Sequence, residues 1–557
     1  MNSRKLLRYL LAGFSAMFLV VFLLVPVFTV IETGCDWRLI VEVFRNQVYV
    51  DGLINSLLIA LTTTAMVFVI SIFLALLYDK YDFPGRDWCG FLMLLPMILP
   101  PFVGALGFQQ ILGHYGVVNQ ILVKCGLARI DFLGGEGRFW SVCLIEALHL
   151  YPIFYLNLVA ALGNIDPAFE EAAVNFGASR TSKFFHITLP LLKPGILAGG
   201  SLVLVWSFTE LGTPLMFGYT RTTAVQILNG LTELESNPIP YALVLIMLTA
   251  SVLIYAAAKA LLGNRGSALP AKGMTTKSRT PSKGVSGWLI LGVFLLVTLF
   301  AVLPHIALIL RSFTAGYYQE ILPTRFTLAN YREALSNPLV IPSVVNSLRY
   351  SLLATAIAVI CGVVVALASC RWKLAGSKIL DLLFMLPLAV PGVVVAFGFL
   401  GMAVKFNFFA EYFNPVENPL FLLAAAYAVR RIPYVVRSVS SGLEQTPEDL
   451  ELAAGNLGAK PWQVVAKIAV PLVAVNILIG GLFAFSFSML EVSDSLILAQ
   501  KEAFFPITRS LYELSQILGS GSNIASAFGV WAMLFLATTL ALAGVMLGRK
   551  IGSVFRF

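Results

Sequence analysis

Ionisable residues set inside long apolar stretches are where this sequence could do chemistry. Glu210 stands in Trp206-Ser207-Phe208-Thr209-Glu210-Leu211-Gly212, and Glu491 in Ser488-Met489-Leu490-Glu491-Val492-Ser493-Asp494. His149 and Arg430 occupy matched places in two other apolar runs, with Arg431 directly after Arg430. A charge in hydrocarbon is costly, so bases on one pair of runs and acids on the other are expected to meet. His149, Glu210, Arg430, Arg431 and Glu491 are therefore candidates for ion pairs that line or gate a pathway. The alternative is a set of fixed braces between neighbouring helices.

A polar pattern of some twenty residues occurs twice between apolar runs. The first copy reads Glu170-Glu171-Ala172-Ala173-Val174-Asn175-Phe176-Gly177 and closes on Ile187-Thr188-Leu189-Pro190; the second reads Glu451-Leu452-Ala453-Ala454-Gly455-Asn456-Leu457-Gly458 and closes on Ile468-Ala469-Val470-Pro471. Good helix formers lead to a glycine that can end a short helix, and the proline precedes the next apolar run. Paired alanines permit close approach of another surface, and exposed acids can meet cationic donors on it. Such a helix, held between two spans, can carry a push from a soluble partner into the bilayer.

The elements that must position these residues are membrane helices. Hydrophobic residues make up 58% of the chain and charged residues 12%, and the mean hydropathy is +0.86, far from a soluble domain. Crossing the hydrocarbon takes about 20 apolar residues. Some twelve runs qualify, near 8–31, 53–77, 89–110, 139–163, 195–219, 241–263, 286–311, 344–369, 378–402, 419–437, 474–499 and 525–548. The first follows Arg4, Lys5 and Arg8 but exceeds a signal-peptide core and lacks a small-residue cleavage site, so a retained span is expected. An even span number with a basic start puts both termini in the cytoplasm, where Lys and Arg are then about twofold enriched. The net charge of +9 reports this bias. No basic stripe with interleaved aromatics points to nucleic acid; the lipid bilayer is the partner that composition demands.

The apolar runs themselves repeat. Asn55-Ser56-Leu57 matches Asn346-Ser347-Leu348, Gly85 matches Gly376, Leu95-Pro96 matches Leu386-Pro387 and Pro100 matches Pro391, all offset by 291 residues. Pro152 and Pro433, Gly177 and Gly458, Pro190 and Pro471, and Glu210 and Glu491 match at an offset of 281. The change of offset places an insertion in an outer loop around 113–116. The expected architecture is all-α and polytopic: twelve transmembrane helices as two parallel six-helix repeats, 1–263 and 286–557, joined by a polar cytoplasmic linker over 264–285. Prolines at 96, 100 and 101 and at 387 and 391 should kink the third and ninth spans. The six cysteines show no metal-ligand spacing, and only Cys35 and Cys125 fall in outer loops, where a disulfide could form. No metal site is expected.

The spacing Glu-Ala-Ala, three residues, Gly, nine residues, Ile-x-Leu-Pro resembles the EAA loop of the membrane subunits of binding-protein-dependent ABC importers. The first copy fits through Glu171, Ala172, Ala173, Gly177, Ile187, Leu189 and Pro190. The second keeps Ala453, Ala454, Gly458, Ile468 and Pro471, with Leu452 in place of the acid and Glu451 one position earlier. The resemblance implies the type I importer permease fold. It also implies that Glu170, Glu171, Ala172, Ala173, Gly177, Glu451, Ala453, Ala454 and Gly458 belong to two coupling helices gripped by two copies of a cytoplasmic ABC ATPase. Since the chain has no G-x-x-x-x-G-K-[ST] sequence, ATP and Mg would bind that partner and no cofactor this chain. An extracytoplasmic solute-binding protein would deliver substrate at a bacterial inner membrane, and ATP-driven closure would rock the halves in alternating access.

Sequences such as Ala428-Val429-Arg430-Arg431-Ile432-Pro433-Tyr434 and Thr209-Glu210-Leu211-Gly212-Thr213-Pro214 resemble the iron(III) importer group, with thiamine, phosphonate and polyamine importers as near relatives. The chain is thus expected to be a transporter subunit and not an enzyme. A major-facilitator-type secondary transporter would also have two parallel six-span halves. However, Asp79-Lys80-Tyr81-Asp82-Phe83-Pro84-Gly85-Arg86 lacks that family's loop spacing, and the duplicated polar loop has no place in it. A membrane enzyme would need clustered His, Asp or Cys.

Overall fold

The computed structural model describes residues 3–98, 100–233, 237–262, 279–282, 284–315, 320–517 and 519–547. It is helical, with a single two-residue parallel pair, Tyr81–Asp82 with Thr280–Pro281, among the described residues. Most of the expected linker, 264–278 and residue 283, lies outside the described residues; its far end is tied down by that pairing and by the Ser282 amide, which donates to the Asp82 carbonyl at 2.8 Å.

Eight described helices are long and apolar enough to cross a membrane, or eleven if three bent pairs each count as one span. These match eleven of the twelve expected runs. The remaining run is the helix Leu420–Glu444, which is long enough but carries Arg430, Arg431 and Arg437. Apolar side chains on nearly every face leave the backbone groups no partner but each other, which forces helix in hydrocarbon.

The prolines expected to kink the third and ninth spans break them outright. Ser377–Leu388 and Gly392–Lys405 meet at 99°, with Pro391 in extended geometry between them. Pro100 is extended in the same way before Pro101–Leu112. Each of these prolines lacks the N–H that would continue the helix. Pro190 and Pro471 act more gently: the helix entering each is opened into one π turn, Phe184–Thr188 and Val465–Ala469, at matched positions.

The chain folds as two compact units whose limits differ from a division by sequence repeat at 264–285. One unit, hereafter the second-repeat unit, comprises Met1–Val50, Gln226–Leu248 and Tyr331–Val554; the other, the first-repeat unit, comprises mainly Asp51–Val225 and Thr249–Asn330. In each, the first span of one repeat packs on the third span of the other. Within the second-repeat unit, a Cβ on Gly398 would meet the Pro26 carbonyl at 2.5 Å. Within the first-repeat unit, a Cβ on Gly107 would meet the Pro304 carbonyl at 1.7 Å. Gly107 and Gly398 are mates at the offset of 291. Only a residue without a side chain lets these backbones approach so closely, which is the device membrane helices use in place of hydrophobic burial.

Repeated sequence becomes repeated contact at the second span of each repeat as well. Ser56 Oγ accepts from the Thr223 amide at 2.9 Å and Ser347 Oγ from the Ile507 amide at 2.8 Å. Beside them, Asn55 donates to the Arg221 carbonyl and Asn346 to the Phe505 carbonyl. Cys35 and Cys125 are both exposed and unbridged.

Candidate functional site

Two kinds of site emerge, one at the polar loops and one at membrane depth. In the first loop, Asp166 caps the helix Pro167–Asn175 by accepting from the Ala168 amide at 3.0 Å. The helix ends in a Schellman turn: Ala178 N–H donates to the Ala173 carbonyl and Gly177 N–H to the Val174 carbonyl, both at 2.9 Å. Gly177 has φ +78°, a left-handed conformation that side chains disfavour. The second loop repeats this in Asp449–Asn456, with Ala459 donating to Ala454, Gly458 donating to Gly455, and φ +87° at Gly458.

The turn throws one large apolar side chain outward in each copy. Phe176 is 91% exposed and Leu457 90%, and they are repeat mates. Both stand almost uncovered among the described residues. Ala172 and Ala453 are exposed, Ala454 is half-buried and Ala173 is buried. The alanine that faces outward is therefore the first of each pair.

The acids divide differently from expectation. Glu171 is exposed, as a residue offered to a partner must be. Glu170 and Glu451 turn inward. Glu170 accepts from Lys183 Nζ at 3.0 Å and Thr188 Oγ1 at 3.3 Å, and Glu451 accepts from Arg371 Nε at 2.6 Å. They brace their helices against the chain, so the outward acid of the first copy has only Leu452 as its counterpart.

At membrane depth in the second repeat, the structure brings together the residues expected to pair. Glu491 accepts hydrogen bonds from both Arg430 Nη1 and Arg431 Nη2. Arg430 also reaches Asp494 at 3.4 Å, and Arg431 donates to the Phe487 carbonyl at 3.2 Å. Glu491 and Asp494 are buried, with side chains 6% and 0% exposed, while Arg430 is 23% exposed. Two arginines and two carboxyl groups thus close a cluster whose most exposed member is Arg430, with Arg431 at 10%. Tyr427 and Ser495 join hydroxyl to hydroxyl at 2.6 Å beside it, and Thr508 donates to the Glu491 carbonyl at 2.7 Å.

In the first repeat the matched residues do different work. His149 Nδ1 lies 2.9 Å from the Pro96 carbonyl; a carbonyl only accepts, so Nδ1 carries the proton. That carbonyl is the one whose helical donor would have been the N–H of residue 100, which is proline. Glu210 Oε1 accepts from the amides of Gly212 at 3.1 Å and Thr213 at 3.2 Å. It caps the short helix Gly212–Met216, which begins where the fifth span breaks. His149 and Glu210 thus each meet the backbone at a helix break.

Five contributors went unselected in the sequence. Asp494, Lys183 and Arg371 supply partners named above. Glu146, 2% exposed, accepts from Ser207 Oγ and is the repeat mate of Tyr427. Gly392 opens the helix after the ninth-span break, and a Cβ there would lie 2.4 Å from Arg430 Nη1. Glu146 was legible as an acid amid Cys143-Leu144-Ile145-Glu146-Ala147-Leu148. The roles of Gly392 and Arg371 are visible only in three dimensions.

Comparison with known proteins follows the same division into halves. A family profile described as binding-protein-dependent transport system inner membrane component matches residues 1–265 and 358–552. The chain is 24% identical over 502 residues to the ferric transport system permease protein FbpB of Actinobacillus pleuropneumoniae, covering 88% of this chain and 69% of that one. It is 24% identical over 469 residues to the Fe(3+)-transport system permease protein FbpB 2 of Haemophilus influenzae, covering 83% and 84%. The sulfate transport system permease protein CysT of Escherichia coli is 26% identical over 262 residues, 45% of this chain but 92% of its own length.

Proposed function

Because the chain belongs to the family of binding-protein-dependent transport system inner membrane components, we propose that it is the importer subunit through which iron(III) passes, driven by two copies of a separate ABC ATPase. Multi-pass insertion in the inner membrane follows from the family and the apolar helices. Iron(III) is favoured because the relatives named for ferric transport align with more than four fifths of this chain, whereas the sulfate permease aligns with less than half.

One observation carries the coupling role: two glycine-terminated loop helices, the first also capped by Asp166, each presenting an exposed apolar tip, Phe176 or Leu457. A well-ordered helix with an uncovered aromatic or leucine at its end is an anchor for a pocket on another protein. In this reading both loop helices and both termini face the cytoplasm, ATP and Mg are held by the ATPase, and a solute-binding protein delivers the ion from the other side. Movement of a loop helix is passed to the spans it is fixed to. At membrane depth, the cluster of Arg430, Arg431, Glu491 and Asp494 acts as a brace in which Arg430 is the member most exposed to solvent, while Glu210 and His149 hold the two breaks of the first repeat.

The test is uptake of radiolabelled iron(III) by cells with and without the gene, together with purification of the tagged chain from its own membranes. An ABC ATPase should accompany the chain, and a Phe176→Asp, Leu457→Asp double variant should reach the membrane but lose both the ATPase and uptake. Unchanged iron uptake in the deletion strain, with thiamine or phosphonate uptake lost instead, would move the substrate assignment. Retention of the ATPase by the double variant would remove the coupling role.

A further inference from the structure

The inward acid of the loop helix is the same repeat position in both copies, yet its cation comes from different elements. In the first copy Lys183, thirteen residues on in the same loop, supplies it, helped by Thr188. The second copy has Val464 and Ala469 at those two places, so it has no local partner for Glu451. The cation is instead Arg371, the residue that follows the eighth span, Val340–Cys370. Arg371 Nε donates to Glu451 at 2.6 Å, and Nη2 donates to the carbonyls of Leu443 and Thr446, both at 2.8 Å. Leu443 lies in the last turn of the tenth span and Thr446 just beyond it. The first-repeat mate of Arg371 is Lys80, which lies over the Tyr81 ring at 5.4 Å.

We infer that Arg371 is a positioning residue that fuses the second loop helix to the ends of the eighth and tenth spans, so that the three move as one body, whereas the first loop helix is carried by the segment leading into the fifth span. The inference rests on the coupling role proposed above and says which spans each helix drives. A guanidinium offers a planar fork of donors, so one side chain can fix three elements at defined angles. Its bond to Glu451 is charge-assisted, and the Arg371 side chain is only 7% exposed, which limits screening by salt. Lys183 is a single point charge, 23% exposed, and its bond to Glu170 joins the helix to its own continuation. The acid is shared by both repeats; the cation that meets it is not.

The experiment uses the full chain with the ATPase that co-purifies with it, with the exposed Cys35 and Cys125 replaced by serine. Spin labels are placed on Lys378→Cys with Leu452→Cys, spanning the Arg371 brace. In a second preparation they are placed on Asp87→Cys with Val174→Cys, the corresponding region of the first repeat. Distances are read without nucleotide and after trapping with ATP and vanadate. The 378–452 separation should stay constant between the two states while the 87–174 separation shifts. Arg371→Gln should broaden the 378–452 distribution, and Arg371→Lys, which keeps the charge but not the fork, should broaden it less. Adding Val464→Lys and Ala469→Thr to Arg371→Gln recreates the first-repeat arrangement. It should sharpen the distribution again, but the separation should now shift on trapping.

A 378–452 separation that shifts as much as the other pair in the parent chain overturns the inference. So does an Arg371→Gln distribution identical to the parent's, or a relocated cation that restores the constant separation. If no ATPase accompanies the parent chain, it is the coupling role that fails, and the nucleotide-free comparison of Arg371→Gln with the parent still decides whether Arg371 holds the helix.

Discussion

The two membrane-depth sites occupy equivalent places in the two repeats and solve one backbone problem with different chemistry. In both, the third span of the repeat is broken at a proline and the residue at position 149 or 430 reaches toward the break. His149 is short and meets the Pro96 carbonyl. Arg430 is longer, passes the residue after the break, and needs acids beyond it; it finds Glu491 and Asp494. Three neighbouring differences follow from that one: Gly392 where the first repeat has Pro101, Asp494 where it has Thr213, and Arg431 where it has Leu150. A buried charge entails a neutral set around it, because an unpaired ion in low dielectric is costly. In the first repeat the matched residues His149 and Glu210 bond backbone groups, and one carboxyl, Glu146, is buried against Ser207.

The sharpest way to break the comparison is to remove each acid in turn. Glu491→Ala leaves Arg430 and Arg431 without their shared partner and should cost roughly 3–5 kcal/mol. Glu210→Ala removes a helix cap and should cost about 1 kcal/mol. Thermal unfolding of the two purified variants compares them directly, and equal losses would mean that both sites are ionic. Next in size, Gly392→Val forces Arg430 aside and should destabilise by about 1–3 kcal/mol through overpacking. The same substitution in an Arg430→His background, where the side chain no longer reaches that far, should cost much less.

A graft sharpens the contrast further. Arg430→His and Asp494→Thr each import a first-repeat residue and should be harmful singly but partly mutually corrective, with a coupling of roughly 0.5–3 kcal/mol in a double-mutant cycle. Strict additivity would separate Asp494 from the cluster. The smallest effects belong where the repeats agree. Gly177→Ala and Gly458→Ala should each cost about 1 kcal/mol from the left-handed backbone, and by the same amount, because nothing lies within 4 Å of a Cβ at either. Amide hydrogen exchange across 167–178 and 449–459 reads that equality.

Much of this was open to a reader of the sequence. Span placement follows from apolar run length, and only the arginine-bearing helix Leu420–Glu444 blurs it. The loop helices were legible because capping and termination are local: Asp166, Gly177 and Gly458 act on residues within one turn of themselves. The pairing of Glu491 with Arg430 and Arg431 was legible because charges at membrane depth have few alternatives. The backbone bonds of His149 to Pro96 and of Glu210 to Gly212 and Thr213 were not legible, because a sequence does not show which carbonyl or amide a helix break leaves open.

What the sequence determined by itself is therefore what hydrocarbon and helix periodicity impose on any chain: where it crosses, that it does so in two copies, and that a short glycine-terminated helix lies between the fourth and fifth spans of each. What only the tertiary structure decided is who meets whom. Arg371 and Glu451 are separated by 80 residues, and the first span of each repeat settles against Gly107 or Gly398 of the other repeat's third span. In a bilayer every apolar helix is equally content beside lipid, so the choice among partners falls to close-packed glycines and to the few polar groups that must be satisfied. Those depend on distances that no spacing along the chain records.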